Sequence, residues 1–380
     1  MIDDDRTLEL YIHIPFCVQK CNYCDFLSFA ADDDTKKKYI DMLIAEMQLN
    51  TVAYGDYRVT SVFIGGGTPS VIPSSAIAKV MDVVRANYNL DDNAEITIEA
   101  NPGTLTESKL EDYLKSGINR LSIGLQSADV MELSLLGRIH DFDDFLNNFR
   151  AARRIGFDNI NVDLMSGIPG QTLEKWKYNL EKVIELRPEH ISAYGLIIEE
   201  GTLFWDEYGE DGPLSGNLPD EDTERDMYYL TRSMLEEAGY HQYEISNYAL
   251  AGYECEHNKG YWTRKNYLGF GLGAASFIHD CRWNNTKNMS EYLRGIGNDS
   301  VEKLSLWDAM SEFMFLGLRL SVGVSEIEFE NLFKYSIMEM YGTHVERMIS
   351  EGLLERKDGR YRLTYLGMDL ANYVMSGFIL

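Results

Sequence analysis

Positive charge is scarce in this 380-residue chain: 35 lysines and arginines stand against 61 aspartates and glutamates, a net charge of −26. That balance disfavours a nucleic-acid partner, because phosphates would be repelled. Lys36-Lys37-Lys38 is the only lysine run, and Asp32-Asp33-Asp34 precedes it, so the pair reads as an exposed helix start with its acids first. No apolar stretch reaches the length of a membrane span. The acidic opening, Met1-Ile2-Asp3-Asp4-Asp5-Arg6, has no signal or transit-peptide pattern. Internal repeats and low-complexity segments are missing too. Cysteine is sparse and odd in number, five in all, which predicts reduced thiols in a cytoplasmic protein. With 45% apolar and 25% charged residues, the chain reads as soluble and globular, one large domain with a smaller one or two domains.

What the chain does have is a regular alternation of strand and helix signals. Residues 8–14 alternate at period two and stop at Pro15. Helical spacing follows over 35–54, then a short apolar strand at 61–64 runs into Gly65-Gly66-Gly67-Thr68-Pro69. A helix over 74–88 leads to a strand at 95–99, closed by Asn101-Pro102-Gly103, and to a helix at about 107–115. Strands at 119–125, 159–165 and 190–197 are separated by helices near 128–136, 142–155 and 172–186. Six strands alternating with helices predict an α/β fold with a parallel sheet, doubly wound or curled into a barrel.

Three of the five cysteines fall within eight residues, Cys17, Cys21 and Cys24, spaced C-x3-C-x2-C. Thiolates so close suit zinc or an iron–sulfur cluster. Zinc would need a fourth ligand, for which His13 or Asp25 is at hand; a cubane would keep one iron open. The other unusual polar residues also come just after strands: the glycines after the second, Glu99 the third, Gln126 the fourth and Asp163 the fifth. In a parallel βα barrel that end is where sites are built.

Beyond residue 205 the pattern changes. Residues 206–222 are acidic and rich in Gly and Pro, a loop signal, and 222–238 reads as a helix. The glycine-rich stretch 266–277 lacks the strand–turn–helix context of a dinucleotide site and predicts close backbone packing. Residues 306–380 read as a small helical unit with a turn at Lys357-Asp358-Gly359, a winged-helix-like pattern. Acids outnumber bases there, which favours a structural or lid role over DNA binding. The chain divides accordingly into 1–205, 206–305 and 306–380.

Tyr11-Ile12-His13-Ile14-Pro15-Phe16-Cys17 through Cys24, Gly65-Gly66-Gly67-Thr68-Pro69, Glu99-Ala100-Asn101-Pro102 and Ser122-Ile123-Gly124-Leu125-Gln126-Ser127 together resemble the oxygen-independent coproporphyrinogen III oxidase family of radical S-adenosylmethionine (SAM) proteins. The resemblance implies a partial (β/α)6 TIM-like barrel and an additional C-terminal α+β domain containing the winged-helix-like unit. It implies that Cys17, Cys21 and Cys24 ligate a [4Fe–4S] cluster whose open iron chelates SAM, and that an electron from the cluster cleaves SAM to methionine and a 5′-deoxyadenosyl radical. Tyr11 would contact SAM; Gly66, Gly67 and Thr68 would admit its amino end, and Glu99 would hold that ammonium. Gln126, Arg138 and Asp163 match further SAM-contacting positions, Arg138 suited to a carboxylate and Asp163 to ribose hydroxyls. One SAM or two would fit.

Two features set the chain apart from the oxidases. The family's oxidases carry a cysteine where this chain has Phe26, and a longer arm before the first strand. In their place it carries His257-Asn258-Lys259-Gly260-Tyr261-Trp262, which resembles the haem-chaperone branch of the family. That branch implies a haem site, with His257 as axial ligand beside aromatic surface and Cys255 as a competing ligand. The function implied is a haem chaperone that passes haem to acceptor proteins, membrane-associated respiratory proteins among them, with a flavodoxin or ferredoxin as reductant. The alternatives are oxidative decarboxylation of coproporphyrinogen III to protoporphyrinogen IX, or another radical SAM reaction on a tetrapyrrole. Coproporphyrinogen oxidase activity is expected to be absent, and no catalytic residue is assigned.

Overall fold

A computed structural model describes residues 6–297 and 300–380. Six parallel strands lie side by side in chain order: β1 (Thr7–Ile14), β2 (Arg58–Gly66), β3 (Asn89–Ala100), β4 (Arg120–Gln126), β5 (Ile160–Ser166) and β6 (His190–Gly195). Between them run α1 (Asp33–Tyr54), α2 (Ser74–Asn87), α3 (Glu107–Lys115), α4 (Val130–Leu135), α5 (Phe142–Ile155) and α6 (Leu173–Ile184). This is the partial βα barrel that the resemblance implied.

Period-two alternation decides which side chain faces where. Leu8, Leu10, Ile12 and Ile14 of β1 are fully buried in the same core as Tyr39, Leu43 and Met47 of α1. Val62, Ile64, Ile96, Ile98, Leu121, Ile123, Val162, Leu164 and Ile191 continue that apolar layer around the sheet. The alternate positions face the concave side and are largely polar. Register pairs them sideways: Ser61 with Glu95, Thr97 with Arg120, Ser122 with Asn161, Asn161 with His190, and Asp163 with Ser192. The lumen is therefore lined by hydrogen-bonding and charged groups, where most βα barrels pack branched apolar side chains.

The segment expected to form a separate extension continues this sheet at both edges. After α7 (Leu203–Tyr208) and α8 (Glu221–Glu237), β7 (His241–Gln242) pairs antiparallel with β8 (Asn247–Ala249), which itself adds antiparallel to β6. Helix α9 (Glu256–Trp262) follows. Then β9 (Tyr267–Phe270) pairs parallel with β1, and β10 (Ala275–Ile278), β11 (Cys281–Asn284) and β12 (Glu302–Lys303) extend that edge antiparallel. The result is a twelve-stranded sheet. The glycine-rich stretch is the β9–β10 hairpin. A Cβ on Gly271 would lie 2.7 Å from the His13 carbonyl oxygen, and its φ is +99°, so close approach to β1 requires glycine there.

A second core belongs to the C-terminal residues. After α10 (Met289–Tyr292), helices α11 (Leu306–Gly317), α12 (Glu326–Phe333) and α13 (Ile337–Ser350) pack with a three-stranded antiparallel sheet of β13 (Val324–Ser325), β15 (Arg360–Leu363) and β14 (Leu354–Lys357). Short α14 (Tyr365–Asp369) and α15 (Ala371–Ser376) end the chain. The unit is joined to the barrel by charge: Glu312 of α11 takes Arg264 at 3.2 Å and Arg282 at 2.8 Å. Among the described residues no helix is long and apolar enough to cross a membrane.

Candidate functional site

The loop between β1 and α1 carries the three cysteines and is pinned at several points. At its stem the Cys17 amide donates to the Phe29 carbonyl at 3.1 Å, and the Phe29 amide to the Pro15 carbonyl at 2.9 Å. At its tip the Asn22 amide and side chain donate to Leu136 and Leu135, where α4 ends, and the Asn22 carbonyl accepts from the Phe204 amide of α7. All three thiols are free and partly exposed, and all line one cavity of about 400 Å³ at the carboxyl end of the strands.

The same cavity is lined by Gly66, Gly67, Thr68, Glu99, Gln126, Arg138 and Asp163. Glu99 Oε2 accepts the Gly66 amide at 3.0 Å. Burial, and then the Asp163 carboxylate, push the Glu99 carboxyl up to about 8, despite that hydrogen bond and the Arg120 charge. A carboxyl held this way is poised to ionise when a positive group arrives. Asp163 is raised by burial against donors that lower it, Asn161 Nδ2 at 2.7 Å among them. Gln126 sits where the β4–β5 register slips, and its φ of +73° turns the chain at the strand end.

Arg138 is more committed than a free carboxylate receptor. Its guanidinium donates to the Gly124 carbonyl at 2.5 Å and to Asn101 Oδ1 at 2.7 Å, and reaches Cys21 Sγ at 3.5 Å. Asn101 in turn donates to Thr68 Oγ1 at 2.9 Å, and Thr68 faces Cys17 Sγ at 3.5 Å. Asn101 therefore ties the arginine to the glycine loop and the cysteines. In the sequence Asn101 closes a strand and stands in the Glu99-Ala100-Asn101-Pro102 motif, but it was given no role; its place in an Asn-Pro-Gly turn beside Glu99 was the available signal. The glycines are needed by the protein itself. A Cβ on Gly66, at φ +115°, would lie 2.5 Å from the His13 ring, and one on Gly67 would lie 3.1 Å from Cys17 Sγ.

Tyr11 and His257 are not on the cavity wall. Tyr11 lies a layer deeper: its hydroxyl bonds His13 Nδ1 at 3.0 Å, and its ring stacks near Phe63 and His257. The charge of Glu99 still reaches it, adding to burial in raising the phenol. His257, expected as an axial haem ligand, lies inside the barrel. Helix α9 plugs the lumen from below, leaving His257 1% exposed. Its Nδ1 bonds Ser61 Oγ at 2.8 Å and its Nε2 bonds the Tyr261 hydroxyl at 3.0 Å. Burial first, then the Arg120 charge, lower it to about 3. Neither nitrogen is free in this conformation. Cys255 is fully buried beside Glu95, its thiol pushed up by burial. Trp262, the last residue of the motif, lies under Arg319 of the C-terminal unit, 4.3 Å from charge to ring centre. The motif is a joint between the barrel floor and that unit.

Among the described residues no group of three or more Cys, His, Asp or Glu side chains converges to hold a single ion. His13, one proposed fourth ligand for zinc, has both nitrogens engaged, with Tyr11 and the Leu27 carbonyl. Three thiols spread around one cavity suit instead a cluster bridged by its own sulfides, with a polar, carboxylate-bearing space beside it.

Comparison with known proteins agrees with this geometry. Residues 11–183 match the Radical SAM superfamily, and residues 304–370 match the HemN C-terminal domain. The chain is 36% identical over 376 residues to the haem chaperone HemW of Bacillus subtilis, covering 97% of this chain and 98% of that one. It is likewise 36% identical over 381 residues to HemW of Escherichia coli, covering 98% of each. A mitochondrial radical S-adenosyl methionine domain-containing protein 1 from Danio rerio is 32% identical over 98% of this chain and 87% of its own. Among solved structures, the coproporphyrinogen III oxidase HemN of E. coli, a radical SAM enzyme, superimposes with a TM-score of 0.87 over 98% of this chain and 90% of that chain, at 24% identity.

Proposed function

Because the chain belongs to the HemW family of haem chaperones within the radical SAM superfamily, we propose that it binds haem and passes it to acceptor proteins, using a radical SAM core that holds a [4Fe–4S] cluster and SAM. The observation that carries the cofactor half is the convergence of Cys17, Cys21 and Cys24 with Glu99, Gln126, Arg138 and Asp163 on one cavity. Cys17, Cys21 and Cys24 would hold the cluster. Bound there, such a cluster would supply one-electron reduction to SAM held beside it.

The chain's own residues would orient the cofactor. Glu99 would accept from the amino end of SAM across Gly66 and Gly67. Asp163 would accept from the ribose hydroxyls. Gln126, turned at its strand end, would offer its amide to the same molecule. Arg138 would act chiefly by holding Asn101 and the Cys21 thiolate in place, since two of its donors are already used. Tyr11 would support the floor through His13 rather than touch SAM.

The haem half rests on family membership over nearly the full chain and on Phe26. That ring, which by the resemblance would stand where the oxidases have a further cysteine, lines the cavity and is 70% exposed. It offers an apolar edge to a flat macrocycle where the oxidase has a thiol. His257 could ligate haem iron only after giving up Ser61 or Tyr261.

Anaerobic reconstitution should give about four iron and four sulfide per chain, lost in Cys21→Ala. The reconstituted protein should then retain haem stoichiometrically through gel filtration and surrender it to an apo-haemoprotein. Failure to retain haem at micromolar concentration would refute the chaperone reading while leaving the cluster assignment standing.

A further inference from the structure

Beneath Asp163 a file of buried polar side chains, Asn161, His190, Ser192 and Tyr243, crosses the lumen, and none of them lies on the cavity wall. Asn161 Nδ2 donates to Asp163 Oδ1 at 2.7 Å and to Ser122 Oγ at 2.8 Å. Asn161 Oδ1 faces His190 Nδ1 at 2.6 Å and accepts Ser192 Oγ at 3.1 Å. His190 Nε2 lies 2.8 Å from the Tyr243 hydroxyl, which accepts the Cys255 amide at 3.4 Å. Asn161, His190, Ser192 and Tyr243 are all buried.

Donor and acceptor chemistry fixes the direction of this file. A carboxylate only accepts, so the Asn161 amide must turn its NH2 to Asp163 and its oxygen to His190. An oxygen facing Nδ1 requires the ring proton there. A neutral ring then has only a lone pair at Nε2, which the Tyr243 hydroxyl must satisfy. Burial, with the nearby Arg120 charge, keeps the ring neutral. Every hydrogen bond from Cys255 to Asp163 thus donates in one sense, toward the carboxylate, and such chains polarise one another. At its far end Tyr243 is tied to the C-terminal unit: its carbonyl accepts the Ser321 amide at 2.9 Å and the Ser321 hydroxyl at 3.2 Å.

We propose that His190 is a positioning residue for SAM binding: fixed as its Nδ1–H tautomer between Asn161 and Tyr243, it holds the Asn161 amide in the one orientation that presents Asp163 to the ribose. The inference rests on the reading of Asp163 as a SAM contact. Without the Nδ1 donor the Asn161 oxygen keeps only the longer Ser192 contact, and the amide can flip to set oxygen against carboxylate.

The test has two parts, both on the reconstituted holoprotein. Nitrogen-15 imidazole spectra at neutral pH should show His190 protonated at Nδ1 and bare at Nε2; the opposite tautomer or an imidazolium would overturn the proposal. SAM affinity by calorimetry should then separate two variants of similar polarity. His190→Asn keeps a donor near the place of Nδ1 and should bind within about threefold of wild type. His190→Gln carries its amide toward Tyr243, leaves the Asn161 oxygen with Ser192 alone, and should bind about tenfold or more weakly at unchanged cluster content. Equal binding by both variants would overturn the relay, and should neither fold, the tautomer decides. Asp163→Asn separates the two levels. If it loses SAM while His190→Gln does not, the relay alone is wrong; if Asp163→Asn binds SAM normally, the role of Asp163 and the relay fall together.

Discussion

The Nε2 atom of His257 lies 3.0 Å from the hydroxyl of Tyr261, one turn further along the same seven-residue helix. With Ser61 on the other nitrogen, the imidazole closes the bottom of the barrel. His257→Ala would leave two buried hydroxyls without a partner, at about 1–3 kcal/mol each, and open a cavity. We expect a stability loss of about 2–5 kcal/mol in denaturant titration at unchanged cluster spectrum. A variant as stable as wild type would mean that the helix leaves the lumen in solution and presents the imidazole elsewhere.

Glu99 gives a pH signature to SAM binding. Its carboxyl is raised to about 8 in the free protein, so below that pH it is mostly protonated. Accepting from the amino end of SAM requires the carboxylate, so binding releases a proton and affinity should rise as pH increases toward 8. Glu99→Gln keeps the shape and loses the charge. It should weaken SAM by about 1.5–3 kcal/mol where the wild-type carboxylate is ionised, and make the pH slope shallower. Calorimetry in buffers of different ionisation enthalpy counts the proton directly; no proton release in the wild type would place Glu99 away from SAM.

A third expectation concerns Glu9, on the lumen side of β1. It is 1% exposed, neither oxygen has a hydrogen bond among the described residues, the Lys265 ammonium lies 3.7 Å away and the neutral His257 ring 3.8 Å away. Burial, against the Lys265 charge, raises it from 4.5 to about 8. A carboxyl whose folded value is raised binds its proton more tightly in the native state. Its contribution to stability is full below about 4.5 and is lost as pH rises through 8. Glu9→Gln mimics the protonated form, so it should gain stability relative to wild type as pH climbs from 6 to 9. Parallel pH–stability curves for the two proteins would show that Glu9 is ionised throughout.

Much of this was legible from the sequence because two periodicities write it there. The six central strands and their helices follow from alternation, Gly-rich stops and amphipathic spacing, and the polar residues after the strands do meet in one cavity. The flanking strands were not legible. Asn247–Ala249 and Ala275–Ile278 are three and four residues long, and they exist as strands only because β6 and β9 offer them edges. The orientation of His257 was hidden for a related reason. A motif of imidazole and aromatics reads the same whether its short helix lies on a surface or plugs a barrel, and only the lumen partners Ser61 and Phe63 decide it. Asn101, Asn161 and His190 were missed because each acts through another residue, across strands that only the sheet register brings together.

The most direct test of the account is to supply the anaerobically reconstituted protein with SAM, a strong reductant and coproporphyrinogen III, and to measure protoporphyrinogen beside a parallel haem titration. With Phe26 on the cavity wall, stoichiometric haem retention and no decarboxylated product are expected. Protoporphyrinogen formed at enzymatic rates would contradict it.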